Sequence, residues 1–225
     1  MLQAARTAVA IMAKAPRAGD VKTRLCPPLS TEEAADLYRC FLLDKIEQVR
    51  ALRDARPVIA YTPAEGRTFF EASAPGFLLL AQRGTDLGER LANAFEALFA
   101  AGHSAALLID SDTPTLPTPL LAQALDAIAT PATDVVLGPS DDGGYYLIGL
   151  QKLYRQLFAA MRWSTAQVLP ETVRRARSLG LTVTTVPPWF DIDTADDLAR
   201  LRASLATAPE DTARHTRRFL TEGPR

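Results

Sequence analysis

The stretch SAALLIDSD, Ser104 to Asp112, decides the fold. Five consecutive apolar residues, Ala105 to Ile109, are followed by two aspartates that one serine separates. A short continuous apolar run of this kind is typical of a strand that is buried on both faces. Such strands form parallel sheets covered by helices, and polar groups gather in the loops at their carboxyl ends. The stretch therefore predicts a buried strand that delivers two carboxylates to one edge of a sheet.

Short apolar runs alternate with amphipathic segments on both sides of this strand. Further strands are predicted over residues 7–13, 57–61, 77–81, 134–137, 145–150 and 182–187. One helix is predicted to begin after Ser30, which forms a capping-box pattern with Glu33. Other helices are predicted over residues 68–73, 88–101, 117–129, 167–179 and 194–205. This alternation predicts an α/β fold of three layers, α/β/α, with a mainly parallel, Rossmann-like central sheet. Residues 1–205 are expected to form one domain, and residues 206–225 a tail or a peripheral helix.

Composition excludes several classes of protein. The 225 residues are 48% hydrophobic and carry a net charge of −1, so no nucleic-acid partner is expected. Two cysteines are too few for a disulfide framework. The apolar run near the N-terminus, residues 8–13, is too short for a signal-peptide core or a membrane span. We therefore expect a cytoplasmic protein without membrane insertion; the sequence does not indicate its oligomeric state.

The charges are distributed unevenly. Residues 1–25 contain five Lys or Arg side chains and one Asp, whereas residues 104–151 contain six Asp and no Lys or Arg. Loops at the carboxyl ends of parallel strands converge on one crevice. A basic loop after the first strand and acidic loops after later strands are therefore expected to face each other, with space for a diphosphate and a divalent cation between them.

The basic loop directly follows the first predicted strand. Its candidate phosphate-binding residues are Lys14, Arg17, Lys22 and Arg24. The loop has neither the Walker pattern nor the GxGxxG pattern. The alternative is a solvated basic loop without a ligand.

Two Asp-x-Asp pairs follow predicted strands and are the candidate metal ligands. Asp110 and Asp112 end one strand, and Asp191 and Asp193 follow another. Mg²⁺ needs few protein carboxylates when phosphates supply other ligands. The alternatives are an Asx turn for the first pair and a helix cap at Asp193 for the second.

Two glycine-containing segments complete the candidate site. In the segment from Gly138 to Tyr146, Asp142 is the candidate acceptor-side carboxylate, and Gly143 and Gly144 permit close approach of a ligand. The same glycines are also typical of a hairpin turn. Leu87 and Gly88 lie in a loop that suits contact with a nucleobase, although a simple connection would have the same pattern.

Four motifs in this order resemble a known family: KAPRAGDVKTRLCPPLS (14–30), LIDSDTPTL (108–116), GPSDDGGYYLIGL (138–150) and FDIDTADDL (190–198). They are similar to bacterial glycosyltransferase-like proteins of the GT-A nucleotide-diphospho-sugar transferase superfamily, over about residues 7–202. The first motif, with the helix that ends in LLDKI, is also similar to phospholactate guanylyltransferases.

The resemblance implies a GT-A fold with phosphates bound by Lys14, Lys22 and Arg24. It implies Asp112 as a metal ligand, Asp193 and Asp191 as residues that complete the metal site, and a DGGY segment close to the acceptor. The family usually has Gly at the position of Asp110, so Asp112 is the implied ligand of that pair. The segment at Leu87 and Gly88 is similar to the base-contacting loop of sugar-nucleotide pyrophosphorylases.

The function expected from these features is metal-dependent transfer from a nucleotide-diphosphate donor. The leading hypothesis is glycosyl transfer from a nucleotide sugar to a small acceptor, with Mg²⁺ or Mn²⁺ as cofactor and Lys22, Arg24 and Asp142 as catalytic residues. The first alternative is nucleotidyl transfer from a nucleoside triphosphate to a phosphorylated acceptor, with release of pyrophosphate. The second is a non-catalytic regulatory protein that binds a nucleotide.

Overall fold

The described part of the chain, residues 7–223 of a computed structural model, contains seven strands, seven α-helices and three short 3-10 turns. The strands are β1 (Thr7–Lys14), β2 (Ala55–Thr62), β3 (Leu78–Ala81), β4 (Ala105–Ile109), β5 (Val135–Pro139), β6 (Tyr145–Leu150) and β7 (Val183–Thr185). The helices are α1 (Thr31–Arg50), α2 (Arg67–Ser73), α3 (Leu87–Ala100), α4 (Thr118–Ala129), α5 (Val168–Ser178), α6 (Ala195–Thr207) and α7 (Arg214–Glu222). Arg6, one cation of the basic N-terminal segment, lies outside the described residues.

The strands form one seven-stranded sheet in the order β3-β2-β1-β4-β6-β5-β7. All neighbouring pairs are parallel except those that involve β6, which runs antiparallel to both β4 and β5. Residues 140–144 connect β5 to β6, and a connection this short permits only an antiparallel pair, because a parallel crossover needs about a dozen residues or more. The predicted mainly parallel sheet is thus confirmed.

Helices cover both faces of this sheet. In β4, Leu107 and Ile109 belong to a core with residues of α1, α2, α4 and α6, whereas Ala106 and Leu108 belong to a second core with residues of α3 and α5. All five residues of β4 are buried. The continuous apolar run at Ala105–Ile109 therefore reflects burial on both faces, and the predicted three-layer α/β/α arrangement is confirmed.

The ends of two helices are fixed by side chains. The capping box at Ser30 and Glu33 forms as predicted: the Ser30 hydroxyl accepts from the Glu33 amide, and the Glu33 carboxylate accepts from the Ser30 amide. Helix α7 packs on α1, where the Asp44 carboxylate accepts hydrogen bonds from the amides of His215 and Thr216.

Across residues 7–223, no helix combines the length and the apolar character that crossing a bilayer requires.

Candidate active site

The candidate site lies where the basic loop after β1 meets the segments that follow β4 and β7. The Lys22 Nζ lies 2.7 Å from Asp112 Oδ1 and 2.8 Å from Asp193 Oδ1, and only 6% of its side chain is exposed. Arg24 Nη1 lies 3.4 Å from the other oxygen of Asp193. Residues separated by as many as 171 positions in the sequence therefore form one cluster of charges.

Backbone hydrogen bonds hold the two aspartates next to each other. The Ile192 amide donates to the Asp112 carbonyl at 3.0 Å, which joins the segment after β7 to the segment after β4. The Tyr146 hydroxyl donates to the Pro187 carbonyl at 2.9 Å, and this fixes the start of the same segment. Directly after Asp193, Thr194 and Asp197 form a capping box that begins α6. The positions of the two carboxylates therefore depend on the fold rather than on a flexible loop.

Lys22 is the central residue of the cluster. Its backbone has a φ of +49°, in the left-handed region, at the start of a short 3-10 turn over Thr23–Leu25. Burial alone would lower the pKa of the ammonium, but Asp112 and Asp193 together raise this pKa above its ordinary value. The two carboxylates therefore stabilise the charged form of Lys22.

The other predicted phosphate-binding residues take different positions. Lys14 and Arg24 line a cavity of about 240 Å³ together with Lys22, Asp112 and Asp193. The Lys14 ammonium is exposed and donates to the Asp20 carbonyl at 2.7 Å. Arg17 is exposed and does not line this cavity. The cavity lining contains three cationic and three acidic side chains, so its formal charge is balanced.

Asp110 belongs to a buried network behind the cavity instead of to the Lys22 cluster. The Thr113 hydroxyl donates to Asp110 Oδ1 at 2.7 Å, and the Lys45 ammonium donates to the hydroxyl and the carbonyl of Thr113 at 2.9 Å each. Burial raises the pKa of Asp110 and lowers that of Lys45, while each group's charge favours ionisation of the other. Asp110 therefore supports the loop that carries Asp112.

Tyr38 connects the basic loop to the same segment. Its hydroxyl accepts from the Lys14 amide at 3.0 Å and forms a hydrogen bond of 2.9 Å with the Ser111 hydroxyl. Tyr38 and Lys45 were not among the predicted site residues. They lie on the same face of α1 as Phe41, and a lysine on a face that is otherwise apolar is the sequence signal that could have indicated its buried role.

A second, larger cavity adjoins the first. It has a volume of about 480 Å³, and Arg24 and Asp193 line both cavities. Its charged lining residues are Arg24, Arg200, Asp141, Asp142, Asp191, Asp193 and Asp197. Asp191 faces this cavity, where its carboxylate accepts from the Ser140 hydroxyl at 3.1 Å. Arg200 pairs with Asp141 at 2.7 Å and lies 3.9 Å from the centre of the Phe190 ring.

The predicted glycine-rich segment forms the turn between β5 and β6 and borders the second cavity. The Gly144 amide donates to the Asp142 carboxylate at 2.8 Å, and the Leu169 amide donates to the Gly143 carbonyl at 2.9 Å. Gly143 has a φ of +87°, and a Cβ there would lie 2.5 Å from the Cα and the carbonyl oxygen of Ala166. The turn is therefore packed against the segment that precedes α5.

Replacing Gly143 by Ala is expected to destabilise the protein more than the same change at Gly102. Both glycines have positive φ, but a Cβ added at Gly102 would meet no atom within 4 Å, so this position isolates the backbone contribution. That contribution is about 1–2 kcal/mol, and overpacking at Gly143 should add about 1–3 kcal/mol. Urea denaturation of both variants measures the difference, and equal losses would contradict the close packing.

The structure does not bring Leu87 and Gly88 to either cavity. Leu87 is exposed, and Gly88 packs under Trp163, whose indole nitrogen would lie 3.0 Å from a Cβ at this position. Trp163 and Trp189 both pack against the cores. Contact between Leu87 or Gly88 and a nucleobase stays a prediction.

The chemistry of Asp112 and Asp193 fits a hard divalent cation. Their oxygens already share one cation, the Lys22 ammonium, and carboxylate oxygens are the ligands that Mg²⁺ and Mn²⁺ prefer. Asp110 instead accepts a hydrogen bond from the Thr113 hydroxyl, and Asp191 accepts one from the Ser140 hydroxyl. Asp112 and Asp193 are therefore the residues that could hold such a cation, with its other ligand positions left for phosphates and water.

A second group of potential ligands lies elsewhere and has a structural role. Among residues 7–223, only Asp44, Glu47 and His215 form a set of three whose ligand atoms lie within 4.8 Å of one another. The Asp44 carboxylate accepts from two amides and the hydroxyl of Thr216 at the start of α7, and Glu47 accepts from Arg214 and His215. Through these hydrogen bonds the two carboxylates hold α7 against α1, so we assign a structural role to this group.

Comparison with solved structures confirms the nucleotide-diphospho-sugar transferase fold. The chain is 33% identical to a candidate nucleotide-diphospho-sugar transferase from Desulfovibrio desulfuricans G20, with 95% of each chain covered and a TM-score of 0.87. A cytidylyltransferase from Leptospira borgpetersenii is 12% identical, with 96% of this chain and 94% of that chain covered and a TM-score of 0.62. A CMP:2-keto-3-deoxy-manno-octonic acid synthetase in complex with CTP is 13% identical, with 89% and 98% covered and a TM-score of 0.57.

The last two likenesses, at such low identity, concern the fold alone. None of the curated proteins is significantly similar to this chain. Residues 45–165 match the family described as "Uncharacterized protein conserved in bacteria (DUF2064)". Because this match spans more than half of the 225 residues, the chain belongs to the DUF2064 family.

Proposed function

We propose that this protein transfers a glycosyl group from a nucleotide-diphosphate sugar to a small hydroxylated acceptor and that the reaction depends on a divalent metal. The observation that carries the proposal is the meeting of Lys22, Asp112 and Asp193 at one point of a cavity that Lys14 and Arg24 also line. Cationic side chains suit phosphate oxygens, and the paired carboxylates suit a metal. A metal-bound diphosphate carries both the negative and the positive charge that this lining complements.

On the donor side, Asp112 and Asp193 would hold Mg²⁺ or Mn²⁺, and Lys14, Lys22 and Arg24 would bind phosphate oxygens. When bound, the metal withdraws charge from the diphosphate and makes it a better leaving group. Lys22 and Arg24 would stabilise the negative charge that develops there; the contacts of both side chains with Asp193 support this role. These residues would orient the donor so that its sugar points to the second cavity.

On the acceptor side, the charge of the second cavity favours a hydroxylated acceptor over a phosphorylated one. Five aspartates and two arginines line it, and Arg200 is already paired with Asp141. Two like charges about 4 Å apart near a protein surface repel by roughly 4 kcal/mol, so a phosphate group would be disfavoured here. Hydroxyl groups can donate to the carboxylates instead. Asp142 is exposed to this cavity and is our candidate for the carboxylate that accepts the acceptor's proton.

Nucleotidyl transfer is the second candidate function. Arg24 favours it, because this exposed arginine lines both cavities and could pair with a phosphorylated acceptor next to the donor. The same metal and basic loop would then bind a nucleoside triphosphate, and pyrophosphate would be released.

The products distinguish the two reactions. The protein with Mn²⁺ is incubated with nucleotide sugars and a panel of sugars and polyols, and separately with nucleoside triphosphates and sugar phosphates, and the products are followed by ³¹P NMR. We expect a nucleoside diphosphate in the first set, only when the acceptor is present. Pyrophosphate and a new diphosphate ester in the second set would instead establish nucleotidyl transfer. Tight nucleotide binding without turnover in either set would contradict both and indicate a regulatory protein.

A further inference from the structure

The position of Lys22 differs from that of a residue which only contacts phosphate. Its ammonium does not point into open solvent but lies between Asp112 and Asp193, and the side chain is 6% exposed. The ring of Phe41 lies 5.9 Å from the ammonium on another side. The ammonium therefore occupies the point at which the two carboxylates would share a metal ion.

A metal ion that arrives alone would have to displace this ammonium. The ammonium contacts one oxygen of Asp112 and one of Asp193, so a metal ion shared by the two carboxylates would have to take its place. A displaced ammonium would lose its two partners in a largely buried place, and an unpaired buried charge is strongly unfavourable. A diphosphate removes this penalty, because its oxygens accept hydrogen bonds from the ammonium while they also bind the metal.

The charge of the cavity leads to the same conclusion. Lys14, Lys22 and Arg24 balance Asp20, Asp112 and Asp193 in its lining. A free cation or a free diphosphate meets both favourable and repulsive charges there. The complex of a metal with a nucleotide diphosphate carries both positive and negative charge. The acidic side chains can therefore contact the metal while the cationic side chains contact the phosphates.

We propose that Lys22 fills the cation site between Asp112 and Asp193 until a nucleotide diphosphate arrives, so that the divalent metal enters together with the nucleotide and not ahead of it. Lys22 then moves from the carboxylates to the phosphate. It is thus a positioning residue that couples the two ligands, and by linkage the coupling is reciprocal. This inference rests on the proposed donor site.

The test is a titration of the protein with Mn²⁺ alone, in which electron paramagnetic resonance measures free Mn²⁺. Lys22→Met, which keeps most of the length of the side chain but removes its charge, should bind Mn²⁺ at least about tenfold more tightly than the wild type, within the 5- to 150-fold range of typical coupling. A residue that only contacts phosphate predicts no gain, because no phosphate is present. Mn²⁺ should also raise the Tm of this variant, which shows that the variant is folded.

Two matched variants distinguish the contact of Lys22 with the two carboxylates from the general effect of removing a positive charge from the cavity. Lys14→Met removes a cation from the same cavity but not from the carboxylates, and it should bind Mn²⁺ much as the wild type does. Lys22→Arg keeps the cation and should also resemble the wild type. An unchanged or weaker Mn²⁺ affinity for Lys22→Met, or an equal gain for Lys14→Met, overturns the proposal. If Lys22→Met does not fold, Lys22→Gln replaces it in the same titration.

A second set of titrations includes CDP, GDP or UDP and separates this inference from the proposed function. Each diphosphate that binds should increase the Mn²⁺ affinity of the wild type, and the increase should be smaller for Lys22→Met. If the wild type binds Mn²⁺ and a diphosphate together but Lys22→Met gains no affinity for Mn²⁺ alone, only the present inference fails. If no diphosphate binds with Mn²⁺, the proposed donor site fails as well.

Discussion

Replacing Asp112 by Asn is expected to abolish Mn²⁺-dependent binding of a nucleotide diphosphate. Asn keeps the shape of the side chain but removes the charge that the Lys22 ammonium and the proposed metal share with Asp193. Even residues that only support a metal ligand change affinity by about 10- to 100-fold, so loss of the ligand itself should exceed about 100-fold. Calorimetric titration with CDP, GDP and UDP, in Mn²⁺ and in EDTA, measures the effect.

Asp126→Asn provides the matched control for this change. Asp126 is an exposed aspartate on α4, and its substitution removes the same charge away from the cavity. This variant should bind like the wild type. If Asp112→Asn kept its Mn²⁺-dependent affinity, or if Asp126→Asn lost as much, the assignment of the metal to Asp112 would be wrong.

Replacing Lys45 by Met is expected to give the largest loss of stability. Lys45 is 1% exposed, and its ammonium holds Thr113, which in turn donates to the Asp110 carboxylate. Without Lys45 the buried Asp110 carboxyl loses the cation that Thr113 links to it, and removal of one of two interacting buried charges typically destabilises by about 3–5 kcal/mol. For a chain of this size each kcal/mol lowers the Tm by about 2–4 °C, so calorimetry should show a large decrease.

Two further variants test the reason for this loss. Arg39→Met removes an exposed cation from the same helix and should change the free energy of unfolding by less than about 0.5 kcal/mol. The double variant Lys45→Met/Asp110→Asn should be more stable than Lys45→Met alone, because it no longer buries an unpaired carboxylate. A double variant that is the less stable of the two would contradict the coupling of Lys45 to Asp110 through Thr113.

The architecture was predictable because its signals are local and repeated. The apolar run at Ala105–Ile109 and the capping box at Ser30 specify a buried strand and a helix start in a few residues, and both form as expected. The direction of β6 was less evident, because an apolar run carries no sign of strand direction. The length of the 140–144 connection contained that information, and the hairpin alternative for Gly143 and Gly144 describes their local structure.

The candidate site was predictable only in part, because it depends on contacts between distant segments. The convergence of strand ends predicted that the basic loop and the acidic loops would face each other, and the resemblance implied that Asp193 joins Asp112. The structure brings Lys22, Asp112 and Asp193 together. The sequence pattern could not predict that the Lys22 ammonium would contact both carboxylates directly. This contact depends on the left-handed backbone conformation of Lys22 and on the burial of its side chain. The spacing of the aspartates also did not show that Asp112 and Asp110 have different environments. Asp110 accepts a hydrogen bond from Thr113, which the buried Lys45 contacts in turn.

The most direct test of the donor site is a crystal structure with Mn²⁺ and a nucleoside diphosphate, with anomalous diffraction data that locate the manganese. We expect one strong anomalous peak between the carboxylates of Asp112 and Asp193, with the diphosphate beside it and the Lys22 ammonium bonded to phosphate oxygen. A peak at Asp44, Glu47 and His215, or a diphosphate bound away from Lys22, would contradict the assignment of this cavity as the donor site.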